Sequence, residues 1–372
     1  MISYITRAQL AEDLALRDLS NPAEGPHAMQ KLLTNVVDAL GTAWGIPTQT
    51  VRHSPIVPVE NNYDRLGFDP GAVTRDQRYS RYLSPTVMLR SHTSASVPWL
   101  LTDIARQSDV DELVVMPGLV YRRDAIDRTH VGAPHQVDLW RIASHPGLNE
   151  ETLEKMVGTI VDAVLPGAIW RAVQAVHPYT MAGRQIDVLV NGDWLELAEC
   201  GLIAPALFDH AGGSSKRWSG LALGMGLDRA LMLRKGIDDI RLLRSEDPRI
   251  HKQMLDLEPW QPVSVMPPIR RDISIVVNET SDAETLGDTV RSALGERVDD
   301  LESVDILSVT EYESLPPGAR ERLAIKPGQV NALLRITLRP LSRTMTDDEA
   351  NELRDVVYRA VHEGSVMELI TF

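Results

Sequence analysis

Residues 220–236 read GLALGMGLDRALMLRKG. An apolar strand broken by glycines runs into a helix start at Leu227-Asp228-Arg229, and Lys235-Gly236 ends that helix. Gly224-Met225-Gly226 has the outline of a dinucleotide fingerprint. However, Arg229 stands where its third glycine belongs, and no βαβ unit with an early acidic residue follows. No GK[ST] sequence exists in the chain, so a P-loop is excluded. What remains is a strand whose glycines let a flat ring approach the backbone, followed at once by an arginine. Taken alone, a packed strand–helix corner explains the segment equally well.

Upstream, residues 118–140 read GLVYRRDAIDRTHVGAPHQVDLW. Two strand-like pieces flank a polar loop, and Arg122 and Gln136 come close if the strands pair across it. Residues 89–101, LRSHTSASVPWLL, place His92 and Ser94 two apart, on one face of a strand. His–Ser proximity suggests a hydrolase, but no GxSxG elbow is present.

Around these segments, 28–44 carries apolar residues at helical spacing up to Gly45, and 150–164 does so up to Pro166-Gly167. Residues 185–204 read as strand, with Asn191-Gly192 as a hairpin turn. Residues 246–268 hold five prolines and no period, which predicts a linker. Beyond it the pattern gives strand (269–277), helix (282–294, capped at Ser281 with Glu284), strand (303–312), strand (332–339), helix (capped at Thr346 with Glu349) and a closing strand, VMELIT. The order βαββαβ is the ferredoxin-like split motif. The expected organisation is therefore a domain over 1–245, a linker over 246–266 and a ferredoxin-like domain over 267–372.

The chain of 372 residues carries a net charge of −14, and residues 266–372 hold 12 Lys and Arg against 20 Asp and Glu. Such a balance disfavours bulk adhesion to nucleic acid and predicts no DNA partner. Arg335 and Arg339 nevertheless share a face of the alternating strand, with Arg343 following. The face reads either as a solvated surface or as a phosphate-contact stripe. One cysteine, Cys200, excludes an internal disulfide framework and a Cys-cluster metal site. No apolar run reaches the roughly 18 residues of a membrane helix, and the first residues carry no secretory core. The expected compartment is the cytoplasm, with no membrane partner.

Together, NNYDRLGFDP (61–70), MLRSHTSA (88–95), the 118–136 loop, DWLELAECGL (193–202) and 220–243 resemble the catalytic core of phenylalanyl-tRNA synthetases. That family belongs to the class II aminoacyl-tRNA synthetases. RRDISIVV (270–277) and LSRTMTDDEANEL (341–353) resemble the family's ferredoxin-fold anticodon-binding domain. Catalytic and anticodon-binding parts on one chain look like the single-chain organellar type. The resemblance implies an α+β fold: an antiparallel sheet flanked by helices, plus the βαββαβ domain. It implies a ligase using ATP and Mg²⁺, with an amino acid and tRNA as partners and a monomeric or homodimeric state.

Carried over by residue, the resemblance makes Arg122 the arginine on the amino-acid carboxylate and ATP α-phosphate, and Arg229 the arginine on the γ-phosphate. Asp124, His130 and Gly226 fall at ATP-binding positions, and Glu196 at an acidic position that helps hold Mg²⁺. His92, Ser94 and Gln136 match groups that receive the substrate ammonium and carboxylate, and Asp138 falls at an amino-acid-binding position where the family has glutamate. Ala222 and Gly224 match the pocket floor. Arg335, Arg339 and Arg343 are the tRNA-binding candidates.

The chain departs from the family in the side-chain pocket. His177-Pro178-Tyr179 replaces Phe-Pro-Phe, Glu199 replaces a glycine, Val97 a glutamine, and Pro134 the phenylalanine that stacks on adenine. Buried polar groups there need a hydrogen-bonding substrate or each other. The sequence leaves three readings open: a substrate other than phenylalanine, polar, cationic, non-standard or a hydroxylated aromatic, passed to tRNA or to a biosynthetic acceptor; phenylalanine itself, with His177 and Tyr179 bonded mutually; or a non-catalytic, regulatory RNA-binding paralogue.

Overall fold

The computed structural model describes residues 4–76, 79–263, 267–341 and 343–367. The described chain falls into two compact units. The first takes residues from 1–122, 133–237 and 252–260; the second takes them from 123–132, 238–251 and 261–372.

The first unit is built on a seven-stranded sheet. Its strands are β1 (Thr48–Thr50), β4 (Asp111–Leu119), β5 (His135–Ala143), β6 (Trp170–Gln174), β7 (Thr180–Val190), β8 (Asp193–Ile203) and β9 (Ser219–Gly226). Their spatial order is β1-β4-β5-β9-β8-β7-β6, and every pair is antiparallel except β1 with β4. A separate two-stranded ribbon pairs β2 (Ile56–Pro58) with β3 (Val87–Leu89). The hairpin between β7 and β8 turns on Asn191 and Gly192, both at positive φ, as a right-twisted two-residue turn requires.

Helices Ala28–Trp44 and Glu150–Val164 cover the sheet with stripes of buried aliphatic residues, including Leu32, Val36, Leu40, Leu153, Val157 and Ile160. The first ends at Gly45 in the left-handed region, and the second starts where Asn149 caps the Thr152 amide. Residues 89–101 depart from the sequence expectation. Thr93–Ser96 is a 3-10 turn leading into helix Val97–Ile104, with Pro98 in its first turn. Proline is well placed there, since that amide would lack an intrahelical partner anyway. His92 and Ser94 therefore do not share a strand face.

The second unit carries a three-stranded antiparallel sheet, β10 (Ile269–Asn278), β11 (Leu301–Glu311) and β12 (Gln329–Leu338), in the order β10-β12-β11. Helices Ala283–Leu294 and Asp347–Val361 pack on it through Leu286, Val290, Leu353 and Val357. The Thr346–Glu349 capping box forms as the spacing predicts. The first helix is capped one residue later than expected, by Asp282 with Thr285. Asp282 presents its carboxylate directly to the Thr285 amide and hydroxyl, which displaces Ser281 from the role. The closing strand VMELIT lies mostly outside the described residues. The proline-rich stretch contains two short turns, Pro248–His251 and Lys252–Leu255.

Candidate active site

Strand register builds a trough on the first unit. Asp138 on β5 sits opposite Gly224 on β9, and Gly224 opposite Glu199 on β8. Directly paired antiparallel residues share a face, so these three line one row. Gln136 opposite Gly226 forms the neighbouring row on one side; Trp140 opposite Ala222 forms it on the other. A Cβ on Gly224 would meet only Asp138 Oδ1 at 4.0 Å, and one on Gly226 nothing within 4 Å. Glycine thus leaves an open floor between walls carrying Asp138 and Glu199.

Two guanidinium groups mark one end. Arg229 lies in the first turn of helix Leu227–Lys235, is exposed, and donates from Nη1 to the Glu196 carbonyl at 3.4 Å. Arg122 donates from Nε to the Ser91 carbonyl at 2.8 Å. Ser91 is fixed by buried Asn62, which accepts from its amide at 3.1 Å and donates to its hydroxyl at 2.9 Å. A bulge in the β7–β8 register at Leu197 brings Glu196 and Glu199, three residues apart, within electrostatic reach. Burial, then the Glu199 charge, raises the Glu196 carboxyl above its ordinary range, while Arg229 and Arg122 both oppose this.

Asp138 is the polar node of the opposite wall and is 4% exposed. It accepts from Thr93 Oγ1 at 2.5 Å, Ser94 Oγ at 3.0 Å and Trp140 Nε1 at 3.0 Å. Burial pushes its carboxyl up despite those donors. Ser94 and Asp138 also face the Tyr179 hydroxyl, whose ionisation burial drives above its usual range. His92 stacks on Phe68 with centroids 5.6 Å apart. Both its ring nitrogens are buried, and the nearby Asn62 main chain stops short of hydrogen-bond geometry. Burial, reinforced by the Arg122 charge, lowers His92 to about 3.

His177 and Tyr179 do not bond to one another; their rings meet tilted, with centroids 6.1 Å apart. Instead His177 Nδ1 contacts Thr180 Oγ1 at 3.1 Å, and Nε2 lies 3.4 Å from Glu199 Oε2, off hydrogen-bond geometry. That contact with His177, ahead of the burial opposing it, holds the Glu199 carboxyl below the usual carboxylate range. Val97 is fully buried in the core. Cys200, on the other face of β8 from Glu199, is a buried thiol pushed up to about 11.

The first unit thus assembles Arg122, Arg229, Gln136, Asp138, His92, Ser94, His177, Tyr179, Glu196, Glu199, Ala222, Gly224 and Gly226. Asp124 and His130 belong to the second unit. There, Arg291 donates to the carbonyls of Asp124 and Ala125, and His130 Nδ1 pairs with Asp127 at 2.7 Å. Arg335, Arg339 and Arg343 also lie in that unit, each paired with a carboxylate. Arg335 grips Asp272 with two contacts of 2.8 Å, Arg339 meets Glu302 at 2.6 Å, and Arg343 bridges Asp300 and Glu349.

The model for the tRNA synthetase class II core domain (F) matches residues 13–254. The chain belongs to the class II tRNA synthetases. The ferredoxin-fold anticodon-binding domain model matches residues 264–369 of the same chain. Among curated relatives of this synthetase is the phenylalanine–tRNA ligase alpha subunit of Prochlorococcus marinus (strain MIT 9313). It is 31% identical, over 68% of this chain and 75% of the relative. The chloroplastic/mitochondrial phenylalanine–tRNA ligase of Arabidopsis thaliana is 28% identical, over 85% of this chain and 71% of the relative. The probable mitochondrial phenylalanine–tRNA ligase of Drosophila melanogaster is 26% identical, over 82% and 76%. The synthetase is accordingly an aminoacyl-tRNA ligase, similar to the single-chain phenylalanine enzymes. Among its described residues no helix is long and apolar enough to cross a membrane.

Sequence reasoning missed four residues of this synthetase's cleft: Asn62, Thr93, Trp140 and Asp228. Asn62 stands in a quoted motif, and Asp228 directly precedes Arg229. Trp140 shares a strand face with Asp138 by period-two spacing, which was the available signal.

Proposed function

We propose that the trough activates an α-amino acid with ATP and that the adenylate is then passed to tRNA. The carrying observation is that Arg229 and Arg122 are held, at the Glu196 and Ser91 carbonyls, beside a glycine floor along which the amino-acid groups lie. The amino-acid carboxylate oxygen attacks the α-phosphorus; the α–β P–O bond breaks and pyrophosphate leaves. A tRNA hydroxyl then attacks the acyl carbon, and AMP leaves. Attack brings two anions together, and preorganised guanidinium groups offset that repulsion without reorganising. Arg122 takes the carboxylate and α-phosphate, and Arg229 the γ-phosphate. Asp124 and His130 are the further nucleotide-binding candidates.

Among the described residues no cluster of three metal-ligating side chains occurs. The Glu196 carboxylate fits Mg²⁺ that arrives on ATP, since that ion is held by one or two carboxylates plus phosphates. Bound there, Mg²⁺ neutralises phosphate charge. Arg335, Arg339 and Arg343 supply the contacts to tRNA phosphates.

The side chain recognised differs from phenylalanine. Glu199 brings an ionised carboxylate to the wall, and a desolvated carboxylate favours a polar or cationic partner. The names of the relatives support a second reading, in which phenylalanine is still used. Amino-acid-dependent ATP–pyrophosphate exchange tests both. Exchange with a polar amino acid above that with phenylalanine supports the shift, the reverse order rejects it, and no exchange with any amino acid rejects activation.

A further inference from the structure

We propose that the cleft takes an amino acid with a short, hydrogen-bond-donating side chain, of the serine or diaminopropionate class, because Trp140 and Tyr179 fill the side-chain end of the trough. The inference rests on the amino-acid-activating reading above and narrows its substrate.

The arginines fix the polarity of the trough. With carboxylate and phosphates at the Arg122–Arg229 end, the amino-acid side chain points along β9 from Gly224 toward Ala222. Space ends there. Ala222 is 3% exposed, and opposite it Trp140 is wholly buried, its indole nitrogen committed to Asp138. Tyr179 stacks on Trp140 with centroids 6.1 Å apart and 23° between planes, Phe68 follows at 6.2 Å, and His92 at 5.6 Å. Aromatic neighbours sit roughly 4.5–7 Å apart when in contact. Each gap in this column is one contact wide, so a substrate ring cannot enter without expelling a member. Expelling Trp140 would take a donor from buried Asp138.

Glu199 supplies the chemistry at the remaining opening. Its side chain is 47% exposed, and its neighbour His177 meets it at 3.4 Å without hydrogen-bond geometry. Acceptor capacity is therefore left, directly across Gly224, for a hydroxyl or amine on a short stem. A hydroxylated aromatic would need the volume that the Trp140–Tyr179 stack occupies.

Binding of non-hydrolysable aminoacyl-sulfamoyl adenosines to the full chain, read by calorimetry, tests this without requiring turnover. The seryl or diaminopropionyl analogue should bind at least about 10²-fold more tightly than the phenylalanyl and tyrosyl analogues, since a pocket of fixed size discriminates on this scale. Trp140→Leu should shrink that ratio by roughly tenfold or more by opening the closed end. Should that variant not fold, the wild-type ranking decides alone. A phenylalanyl or tyrosyl analogue binding as tightly as the seryl one overturns the size limit and leaves activation standing. If no aminoacyl analogue binds, the activating reading fails and this inference falls with it.

Discussion

His135 Nδ1 lies 3.0 Å from Asp228 Oδ1, while the Leu19 amide donates to His135 Nε2 at 3.0 Å. A main-chain amide only donates, so Nε2 is the bare nitrogen and the proton sits on Nδ1, facing Asp228. The His135 amide also donates to Asp228 Oδ2 at 2.5 Å. One buried carboxylate thus ties the start of β5, one residue before Gln136, to the start of the helix one residue before Arg229. Both walls of the trough share this anchor.

Replacing His135 by Phe should take one hydrogen bond from a carboxylate that is 3% exposed. The expected loss of stability is about 0.5–1.5 kcal/mol, the net contribution of one hydrogen bond. Urea unfolding measures it. An unchanged midpoint would show that the anchor is not needed.

Arg122→Ala and Arg229→Ala should each lower pyrophosphate exchange by about 10²–10³, the scale of losing one preorganised electrostatic donor. Asn62→Ala should lower exchange less and act through Arg122, because Asn62 holds Ser91, whose carbonyl accepts from the guanidinium. In a double-mutant cycle, Asn62→Ala should then cost little further once Arg122 is gone. Additive losses would show that Asn62 serves the fold rather than the arginine.

Much of this was legible in one sequence because the signals are local. Capping at Thr346, the stop at Gly45 and the Asn191-Gly192 turn depend on residues a few positions apart. The cleft depends on register. That Glu199 faces Asp138 across Gly224 follows from three strands far apart in sequence, and that Glu196 joins Glu199 follows from a bulge at Leu197. Neither is written in spacing. The 3-10 turn at Thr93–Ser96 misled for a related reason. His92-x-Ser94 alternates as a strand does, while Pro98 four residues later starts a helix. The expected arginine stripe was visible in β12, but its partners Asp272 and Glu302 sit on other strands.

Those carboxylates bear on tRNA binding. Arg335→Glu with Arg339→Glu replaces two paired cations by anions beside Asp272 and Glu302. Affinity for tRNA should fall, and the slope of log K against log salt should flatten by about 0.7–0.9 for each phosphate no longer neutralised. Because each arginine already shares its charge with a carboxylate, the expected change is smaller than that for two fully neutralised phosphates. Filter binding at several salt concentrations reads it. Identical affinity and slope would leave these arginines as links within the sheet.

The buried His92 ring gives the cleft a pH signature of its own. Its native value of about 3 lies below the ordinary histidine value near 6.5 that the unfolded chain carries. As pH falls below 6.5, the unfolded chain gains a proton that the native ring refuses, so folding weakens. The loss begins near pH 6.5 and continues toward pH 3. Each pH unit inside that window costs roughly 1.4 kcal/mol for one proton. Glu199, held below its ordinary value, acts at the lower end only: its contribution is complete above the unfolded carboxylate value and fades as pH drops through the native one. Asp138 and Glu196, raised by burial, act in the opposite sense and add stability as pH falls toward their native values, so the His92 contribution is read as the difference between a variant and wild type. Unfolding free energies from urea titrations at pH 7.5 and 5.5 should differ by roughly 1 kcal/mol less in His92→Phe than in wild type. If both proteins lose the same stability over that interval, the His92 ring takes up its proton in the folded state and the burial argument for it fails.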